Sequence, residues 1–375
     1  MPESFVHMGF ASRVVFGAGT LNQVAGEVEL LEVSRALVIA TGSARDAADV
    51  VELGLGDRFA GRIDEVRQHV PVELADAARA KAAEVAADGI VALGGGSAIG
   101  LAKVIALTTG LPIVAVPTTY AGSEMTPVWG QTADGTKTTG TDLAVLPRTV
   151  VYDPVLSRGL PLGITAASVA NALAHCVEAT WTPKADPITE VTAVEGARAL
   201  HKGLLAVIED RRDLDARGNL LYGASLAGSA LASAGTGLHH KLCHHLGGTY
   251  GLPHAETHAA VLPQVTHLNA TAVPRARSRL EAAIHAEDLA TGLYDLFTAA
   301  GVPTSLRALG LTEQQAKEAA RQFGASSPVN VVPVDEEALT RLLLRAWAGE
   351  RPAAAEGANA VPGGQAPSHH QGVVR

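Results

Sequence analysis

Short apolar segments alternate with helical stretches over the first 157 residues of the chain. Residues 36–40, 89–93 and 111–116 are continuous apolar runs, the pattern of parallel strands buried on both faces. Residues 74–87 are rich in alanine and hold no glycine or proline, as expected of a helix. This alternation predicts an α/β, Rossmann-like nucleotide-binding domain over residues 1–157, with a parallel sheet and helices on both of its faces.

The pattern changes after Asp153-Pro154. Nine segments between residues 164 and 347 have helical spacing and few β-branched runs. They predict an all-helical second domain over residues 158–350, with the hinge in residues 156–162. Residues 351–375 are rich in Ala, Gly and Pro and have no apolar period, so a disordered tail is expected there.

The composition indicates a folded, water-soluble protein, because 47% of the 375 residues are hydrophobic and 18% are charged. A formal net charge of −9 with scattered basic residues argues against nucleic acid or an anionic membrane as a partner. No apolar run reaches the roughly 18 residues of a membrane span. Cys176 and Cys243 are too few for a disulfide framework, so a cytoplasmic location is expected.

A glycine-rich turn follows the second apolar run. Gly94-Gly95-Gly96-Ser97 joins a buried strand to a helix, although it lacks the G-x-G-x-x-G spacing. Glycine lets the backbone approach a phosphate closely, and a helix N-terminus offers unpaired N–H groups. Such a turn is either a structural connection or a phosphate site. Its position at the carboxyl end of a parallel strand favours the phosphate.

Hydroxyl-bearing residues end the two other runs. Thr41 is either a polar helix cap or a cofactor contact, and because no acidic residue stands there, nothing repels the 2′-phosphate of NADPH. Thr118 and Thr119 begin a loop that suits contacts to ribose or substrate oxygens. Lys137 lies in a polar turn predicted over residues 135–139, where a lone lysine is usually solvated.

Histidine is concentrated in the predicted helical domain, where six of the 14 histidines fall within one stretch of 20 residues. Asn171 and His175 stand at i and i+4 on one helix face, as do His240 and His244. With a carboxylate, His175, His240 and His254 would form a divalent-metal site. The carboxylate position holds the neutral amide of Asn171, so the site suits an anionic substrate and proton transfer near neutral pH.

In this order and spacing, from about Phe10 to Trp347, the motifs resemble the iron-containing alcohol dehydrogenase superfamily. That family has a nucleotide-binding domain, a helical domain and an active site in the cleft between them. Its metal-dependent members hold the ion with one Asp and three His, and Asn171 stands at the Asp position here. Residues 118–127, 171–175 and 239–245 look like the maleylacetate reductase branch, which also carries Asn there, so no metal is expected.

The resemblance implies NADH or NADPH as cofactor, and maleylacetate, a small dicarboxylate, reduced to 3-oxoadipate in the breakdown of aromatic compounds. Gly94 to Ser97 would hold the pyrophosphate, and Thr118, Thr119 and Lys137 would lie along the rest of the cofactor. His244 would lie near the nicotinamide, His175 and His240 would donate to the developing enolate, and a homodimer is expected. The residues expected to bind substrate are Tyr120, Ser123, Asn171, Lys241, His245 and His254.

Two other functions remain open on the sequence. One is a metal-dependent dehydrogenase acting on a small alcohol, with Asn171 as a weak ligand. The other is a non-catalytic, histidine-rich metal- or nucleotide-binding protein, against which the complete cofactor loop argues. A phosphate-eliminating cyclase of the same architecture is disfavoured, because it too would need the full metal site.

Overall fold

The computed structural model of the protein describes residues 4–133, 136–325 and 329–354, and only the backbone of residues 136 and 137. Most of the predicted tail, residues 355–375, therefore lies outside the described residues. Six strands form one parallel sheet in the order β1-β8-β5-β4-β2-β3, and β6 and β7 form an antiparallel hairpin. The strands are β1 (Arg13–Phe16), β2 (Ala36–Ala40), β3 (Phe59–Ile63), β4 (Gly89–Gly94), β5 (Ile113–Pro117), β6 (Val128–Ala133), β7 (Thr136–Thr141) and β8 (Thr149–Tyr152).

Helices cover both faces of the sheet, and further helices make up most of the described chain after residue 161. Those of the sheet region are α1 (Val24–Leu30), α2 (Arg45–Leu55), α3 (Val72–Glu84), α4 (Gly96–Thr109) and α5 (Pro154–Ser157). Those that follow are α6 (Leu162–Ala179), α7 (Pro187–Glu209), α8 (Leu214–Ala234), α9 (Leu238–Tyr250), α10 (His254–Asn269), α11 (Pro274–Ala283), α12 (Leu289–Ala299), α13 (Glu313–Gly324) and α14 (Glu336–Ala348). The predicted α/β region followed by a helical region is confirmed; the division at residues 157 and 158 stays a prediction.

The apolar runs are buried on both sides because their alternate side chains enter two separate cores. Leu37 and Ile39 of β2 pack in the core that contains α3, α4 and α6. Val38 and Ala40 of the same strand pack in the core that contains α1 and α2. The parallel sheet aligns the carboxyl ends of β2, β4 and β5 at one edge.

Helix α6 is the central helix of the helical region. Every residue from Thr165 to Ala179 is buried, and α7, α8 and α10 pack around the helix. By length and composition α6 is apolar enough to cross a membrane. Because 83% of that segment is buried inside the protein, α6 is a core helix.

The hairpin of β6 and β7 is the main departure from the expected elements. Residues 135–139 were expected in a polar turn, but β7 begins at Thr136. Its threonines are β-branched and suit a strand. A Cβ on Gly140 would lie 2.7 Å from Trp129 Cζ2 across the hairpin, so the indole covers the glycine.

Candidate active site

Residues at the carboxyl edge of β2, β4 and β5 lie against one another. A Cβ on Gly94 would lie 2.7 Å from Thr41 Cγ2, and one on Gly95 would lie 3.0 Å from Thr119 Cγ2. The Thr118 N–H donates to the Gly94 carbonyl over 3.0 Å, which joins the ends of β4 and β5. These contacts leave no room for a side chain at Gly94, whose φ of 144° also favours glycine.

Helix α4 begins directly after this glycine turn. Gly95 is its N-cap and makes no side-chain capping bond, and Gly96 and Ser97 in the first turn are half-buried. The first N–H groups of a helix have no partner within the helix and carry partial positive charge. The turn therefore fits the pyrophosphate of a dinucleotide. Lys137 lies on β7, and its side chain is outside the described residues.

The loop after β5 is held by a buried lysine, Lys103 of α4. Its ammonium donates to the carbonyls of Ser123 at 2.6 Å and Thr126 at 2.7 Å. Burial lowers the pKa of Lys103 to about 7, although the nearby Glu124 carboxylate raises it. The Ser123 hydroxyl also lies 3.4 Å from the ammonium, so this lysine positions the whole turn.

Tyr120 does not suit the substrate-binding role predicted for it. Its side chain is fully buried, and its hydroxyl accepts a hydrogen bond from the buried Arg217 guanidinium over 3.0 Å. The backbone N–H of Tyr120 donates to the Ser168 hydroxyl of α6 over 2.9 Å. Tyr120 thus fastens the cofactor loop to the helix that carries Asn171 and His175.

Six imidazoles from α6, α9 and α10 meet beside this loop. His175 of α6 stacks on His240 of α9, with ring centroids 4.8 Å apart. His258 of α10 lies 4.7 Å from His240 and 4.5 Å from His254. The remaining ring contacts join His239 to His240 and His258, and His244 to His240 and His254. We call this group (His175, His239, His240, His244, His254 and His258) the histidine cluster.

A buried carboxylate, Glu178 of α6, orients the cluster. One oxygen accepts from His240 Nδ1 at 2.5 Å and from the Gly237 N–H at 3.1 Å, and the other accepts from the His239 N–H at 2.6 Å. Burial alone would raise the pKa of Glu178, but these hydrogen bonds and the neighbouring imidazoles lower it to about 2. The carboxylate is therefore ionised at the N-terminus of α9, where a negative charge is stabilised. A Cβ on Gly237 would lie 2.7 Å from it.

Burial keeps three of the imidazoles neutral. It lowers the pKa of His175 and His258 well below the ordinary value, and neighbouring histidines add to the effect. Burial also lowers the pKa of His239 to about 3, although Glu178 opposes it. A neutral imidazole carries one hydrogen, so each ring has one donor and one acceptor nitrogen.

Glu178 fixes which nitrogen of His240 carries that hydrogen. A carboxylate only accepts, so Nδ1 of His240 is protonated, and in the neutral ring Nε2 is a bare acceptor. His240 therefore donates from Nε2 only when both of its nitrogens carry hydrogen. The expectation that His240 donates to the developing enolate stays a prediction.

Four buried polar atoms of the cluster region have no hydrogen-bond partner in the described protein. They are Asn171 Oδ1, His175 Nδ1, His240 Nε2 and His258 Nε2. Buried polar atoms are nearly always paired, so atoms left open together mark a place for a ligand or water. Asn171, His175 and His240 are thus brought together as the sequence predicts.

The donor atoms do not form a one-carboxylate, three-imidazole metal site. His239, His240 and His258 offer ring nitrogens within 4.8 Å of one another. However, His239 Nε2 and His258 Nδ1 lie 2.8 Å apart and share a hydrogen. Asn171 contributes an amide, and both oxygens of Glu178 already accept N–H bonds. In this part of the described protein the atoms without a partner are imidazole nitrogens and an amide oxygen, and no carboxylate oxygen is among them.

Two residues of α9 predicted to bind substrate, His245 and Lys241, are not part of the histidine cluster. His245 is half-buried against Phe323 and Tyr250, with ring centroids at 5.8 and 6.5 Å, so it points away from the cluster. This position corrects the role predicted for it. Lys241 is exposed, and it shares a helix face with His244 at i and i+3.

No site role is predicted from the sequence for Glu178, Lys103, His239 or His258. Glu178 stands three residues after His175, on the same face of α6 as Asn171 and His175, and this spacing was a usable signal. Lys103 is the single charged residue of α4, and its place in an otherwise apolar helix was a usable signal of burial. His239 and His258 were counted in the histidine-rich stretch, but only the packing of α9 on α10 pairs them.

Comparison with known proteins gives two family matches. Residues 11–154 match the iron-containing alcohol dehydrogenase model, and residues 165–347 match the C-terminal model of the Fe-containing alcohol dehydrogenase family.

The chain is also similar over most of its length to individual proteins. It is 46% identical to the maleylacetate reductase of Sphingobium indicum, and 44% identical to that of Delftia acidovorans. Each alignment covers 93% of this chain and 99% of the relative. The crystal structure of maleylacetate reductase from Agrobacterium tumefaciens matches with a TM-score of 0.90 and 41% identity, covering 93% of this chain and 100% of that one.

Proposed function

The chain belongs to the iron-containing alcohol dehydrogenase family, and we propose that it is a maleylacetate reductase, an NAD(P)H-dependent oxidoreductase. The observation that carries this proposal is the histidine cluster with the amide of Asn171, where four buried polar atoms have no partner in the described protein. Thr119 lies against Gly95, and Tyr120 is bonded to Ser168 of α6, so the glycine turn is linked to the helix that carries Asn171 and His175. The identity of 44–46% to maleylacetate reductases, over 93% of the chain, supports the same activity.

The edge of the sheet is the proposed cofactor site. The N–H groups at the start of α4 bind the pyrophosphate, and the glycines let the backbone approach it. Thr41, Thr118 and Thr119 lie along the same edge and offer hydroxyls to the rest of the cofactor. When bound, NAD(P)H supplies a hydride, which adds to the alkene carbon remote from the ketone of maleylacetate.

The histidine cluster stabilises the negative charge that then develops on the ketone oxygen. A hydrogen-bond donor aimed at that oxygen lowers the barrier to enolate formation. Protonation of the carbon next to the ketone completes the reduction. The Glu178–His240 pair is the proposed acid, because the imidazolium presents a hydrogen at Nε2 while the carboxylate keeps Nδ1–H in place.

The two carboxylates of the substrate require cations or polar donors. Lys241 and His244 lie on the exposed side of α9, where Lys241 can meet a carboxylate at the entrance to the site. Asn171 offers its amide from the opposite helix, α6. His245 and Tyr120 are left out of the proposal, since their side chains are engaged elsewhere.

The proposed reaction needs no metal ion. The family is named for iron, and in its metal-dependent members an Asp completes the ligand set. Asn171 removes that charge here, and Glu178 is occupied by N–H donors. A conjugated ketone can be polarised by hydrogen bonds, so a Lewis acid is less necessary than for alcohol oxidation. A homodimer and a cytoplasmic location are further parts of the proposal.

The experiment compares NADH and NADPH oxidation by the purified protein with maleylacetate and with a panel of small aldehydes. We expect turnover with maleylacetate and formation of 3-oxoadipate. Turnover of aldehydes in preference to maleylacetate would instead favour a metal-dependent alcohol dehydrogenase. No turnover of any carbonyl substrate would favour a binding protein.

A further inference from the structure

The pair His239–His258 lies at the centre of the histidine cluster and has no role in the mechanism so far. Both side chains are fully buried, and His239 Nε2 lies 2.8 Å from His258 Nδ1. His258 packs against His240 and His254 on its other sides. Its second nitrogen, Nε2, is buried with no partner in the described protein.

Nε2 of His258 is one of the four buried atoms that have no partner in the described protein. The other three differ in whether they can donate a hydrogen bond. Asn171 Oδ1 only accepts, and His240 Nε2 only accepts while that ring is neutral, because Glu178 holds the hydrogen on Nδ1. A ligand that develops negative charge needs donors. Of the four atoms, His258 Nε2 and His175 Nδ1 are the two that can carry the N–H hydrogen of a neutral imidazole.

The contact with His239 decides which nitrogen of His258 can donate to a ligand. The Cys243 sulfur lies 3.8 Å from His239 Nε2 and 3.9 Å from His239 Nδ1, so it packs on the ring without selecting either nitrogen. Because both rings are neutral, one of His239 Nε2 and His258 Nδ1 donates and the other accepts. When His239 Nε2–H is the donor, the hydrogen of His258 is on Nε2, the atom that has no partner in the described protein.

We propose that His258, oriented by His239, is a further catalytic residue that donates its Nε2–H to the ketone oxygen of maleylacetate. This inference rests on the proposed function. It adds a donor from α10 to the histidines of α6 and α9, so three helices surround the developing enolate. His239 does not reach the substrate in this arrangement and acts as a positioning residue.

Matched substitutions separate donation from packing. The amide of asparagine lies near the Nδ1 position of histidine, and that of glutamine lies near Nε2. His258→Asn should therefore keep the contact to His239 but lose the donor, whereas His258→Gln should keep a donor at the Nε2 position. His239 makes the contact through Nε2, so His239→Gln should keep the hydrogen bond to His258 and His239→Asn should lose it. His267→Asn, on the same helix but outside the cluster, is the control.

The variants are assayed for kcat and KM in NADH oxidation with maleylacetate. Loss of one donor to an oxyanion costs about a hundredfold or more in kcat. We expect that loss in His258→Asn with little change in KM, partial rescue in His258→Gln and in His239→Gln, and normal kinetics in His267→Asn. Unchanged kcat in His258→Asn, or equal loss in the Asn and Gln variants of His258, would overturn the inference.

A spectroscopic readout tests the hydrogen position independently of turnover. In ¹⁵N-histidine-labelled protein, the His258 signals are assigned by their loss in His258→Gln. We expect a protonated Nε2 and a bare Nδ1, and the opposite tautomer would contradict the inference. A wild-type protein that does not reduce maleylacetate would instead refute the proposed function, so the two failures are distinguishable.

Discussion

Replacing Glu178 with glutamine should destabilise the protein in a pH-dependent way. The folded structure holds the pKa of Glu178 at about 2, against an ordinary value of 4.5. At about 1.4 kcal/mol per pH unit, this difference makes the ionised carboxylate worth about 3 kcal/mol to folding at pH 7. Glu178→Gln keeps the size of the side chain but removes the charge that accepts from His240 Nδ1 and the α9 N–H groups.

The sign of the pH dependence follows from the lowered pKa. A carboxylate whose pKa is lower in the folded state stabilises fully above its unfolded pKa, and that stabilisation is lost as the pH falls through the folded pKa. The gap between wild type and Glu178→Gln should therefore shrink from about 3 kcal/mol at pH 7 to about 2 kcal/mol at pH 3.5. The window lies between about pH 4.5 and pH 2.

Urea unfolding at the two pH values measures this gap. The control is Glu195→Gln, because Glu195 pairs with Arg198 on the exposed face of α7. Such surface pairs contribute about 0–1 kcal/mol. The variant Glu178→Gln should also lose about a hundredfold or more in kcat, since the tautomer of His240 is no longer fixed. The stabilising role of the Glu178 carboxylate would be refuted if Glu178→Gln were as stable as the control. It would also be refuted if the difference in unfolding free energy from wild type did not decrease in acid.

Three further substitutions test separate parts of the site. Asn171→Asp should gain affinity for divalent transition metals and lose maleylacetate reduction, because the new carboxylate lies with the unpaired imidazole nitrogens and repels the dianionic substrate. Metal content by mass spectrometry and kcat/KM are measured for both proteins, and a variant that binds no metal and keeps full activity would contradict this expectation. Thr41→Asp should lower kcat/KM for NADPH by about 10- to 100-fold and leave kcat/KM for NADH unchanged. An equal loss for both cofactors would contradict the placement of the cofactor ribose beside Thr41. Lys103→Met should lower stability by about 3 kcal/mol and raise the KM for NADH, because three buried carbonyls lose their donor; a more stable variant would show that the lysine is not needed.

The sequence was sufficient for most of the fold because buried parallel strands and long helices have strong periodic signals. The run that forms β2 and the helix that carries Asn171 and His175 could be recognised in that way. The hairpin could not, since its residues are polar and Thr-rich, and such a segment reads equally as a turn. The cofactor edge was predictable because strand order in parallel sheets brings Thr41 and Gly94 together.

The site was less predictable where tertiary packing decides the role of a side chain. His245 and His244 are neighbours in sequence, yet only His244 joins the cluster, because α13 covers the other side of α9. Tyr120 lies in a hydroxyl-rich segment that is typical of a substrate-binding loop, but its hydroxyl accepts a hydrogen bond from the buried Arg217. The tautomer of His240 depends on Glu178, and no local pattern shows that contact.

We propose that the histidine cluster supports the reduction of maleylacetate without a metal ion. The most direct test is the rate of NADH oxidation with maleylacetate before and after exhaustive chelation, with the metal content of both samples measured. We expect an unchanged rate in metal-free protein. Loss of activity on chelation, with recovery on adding Fe²⁺ or Zn²⁺, would contradict it.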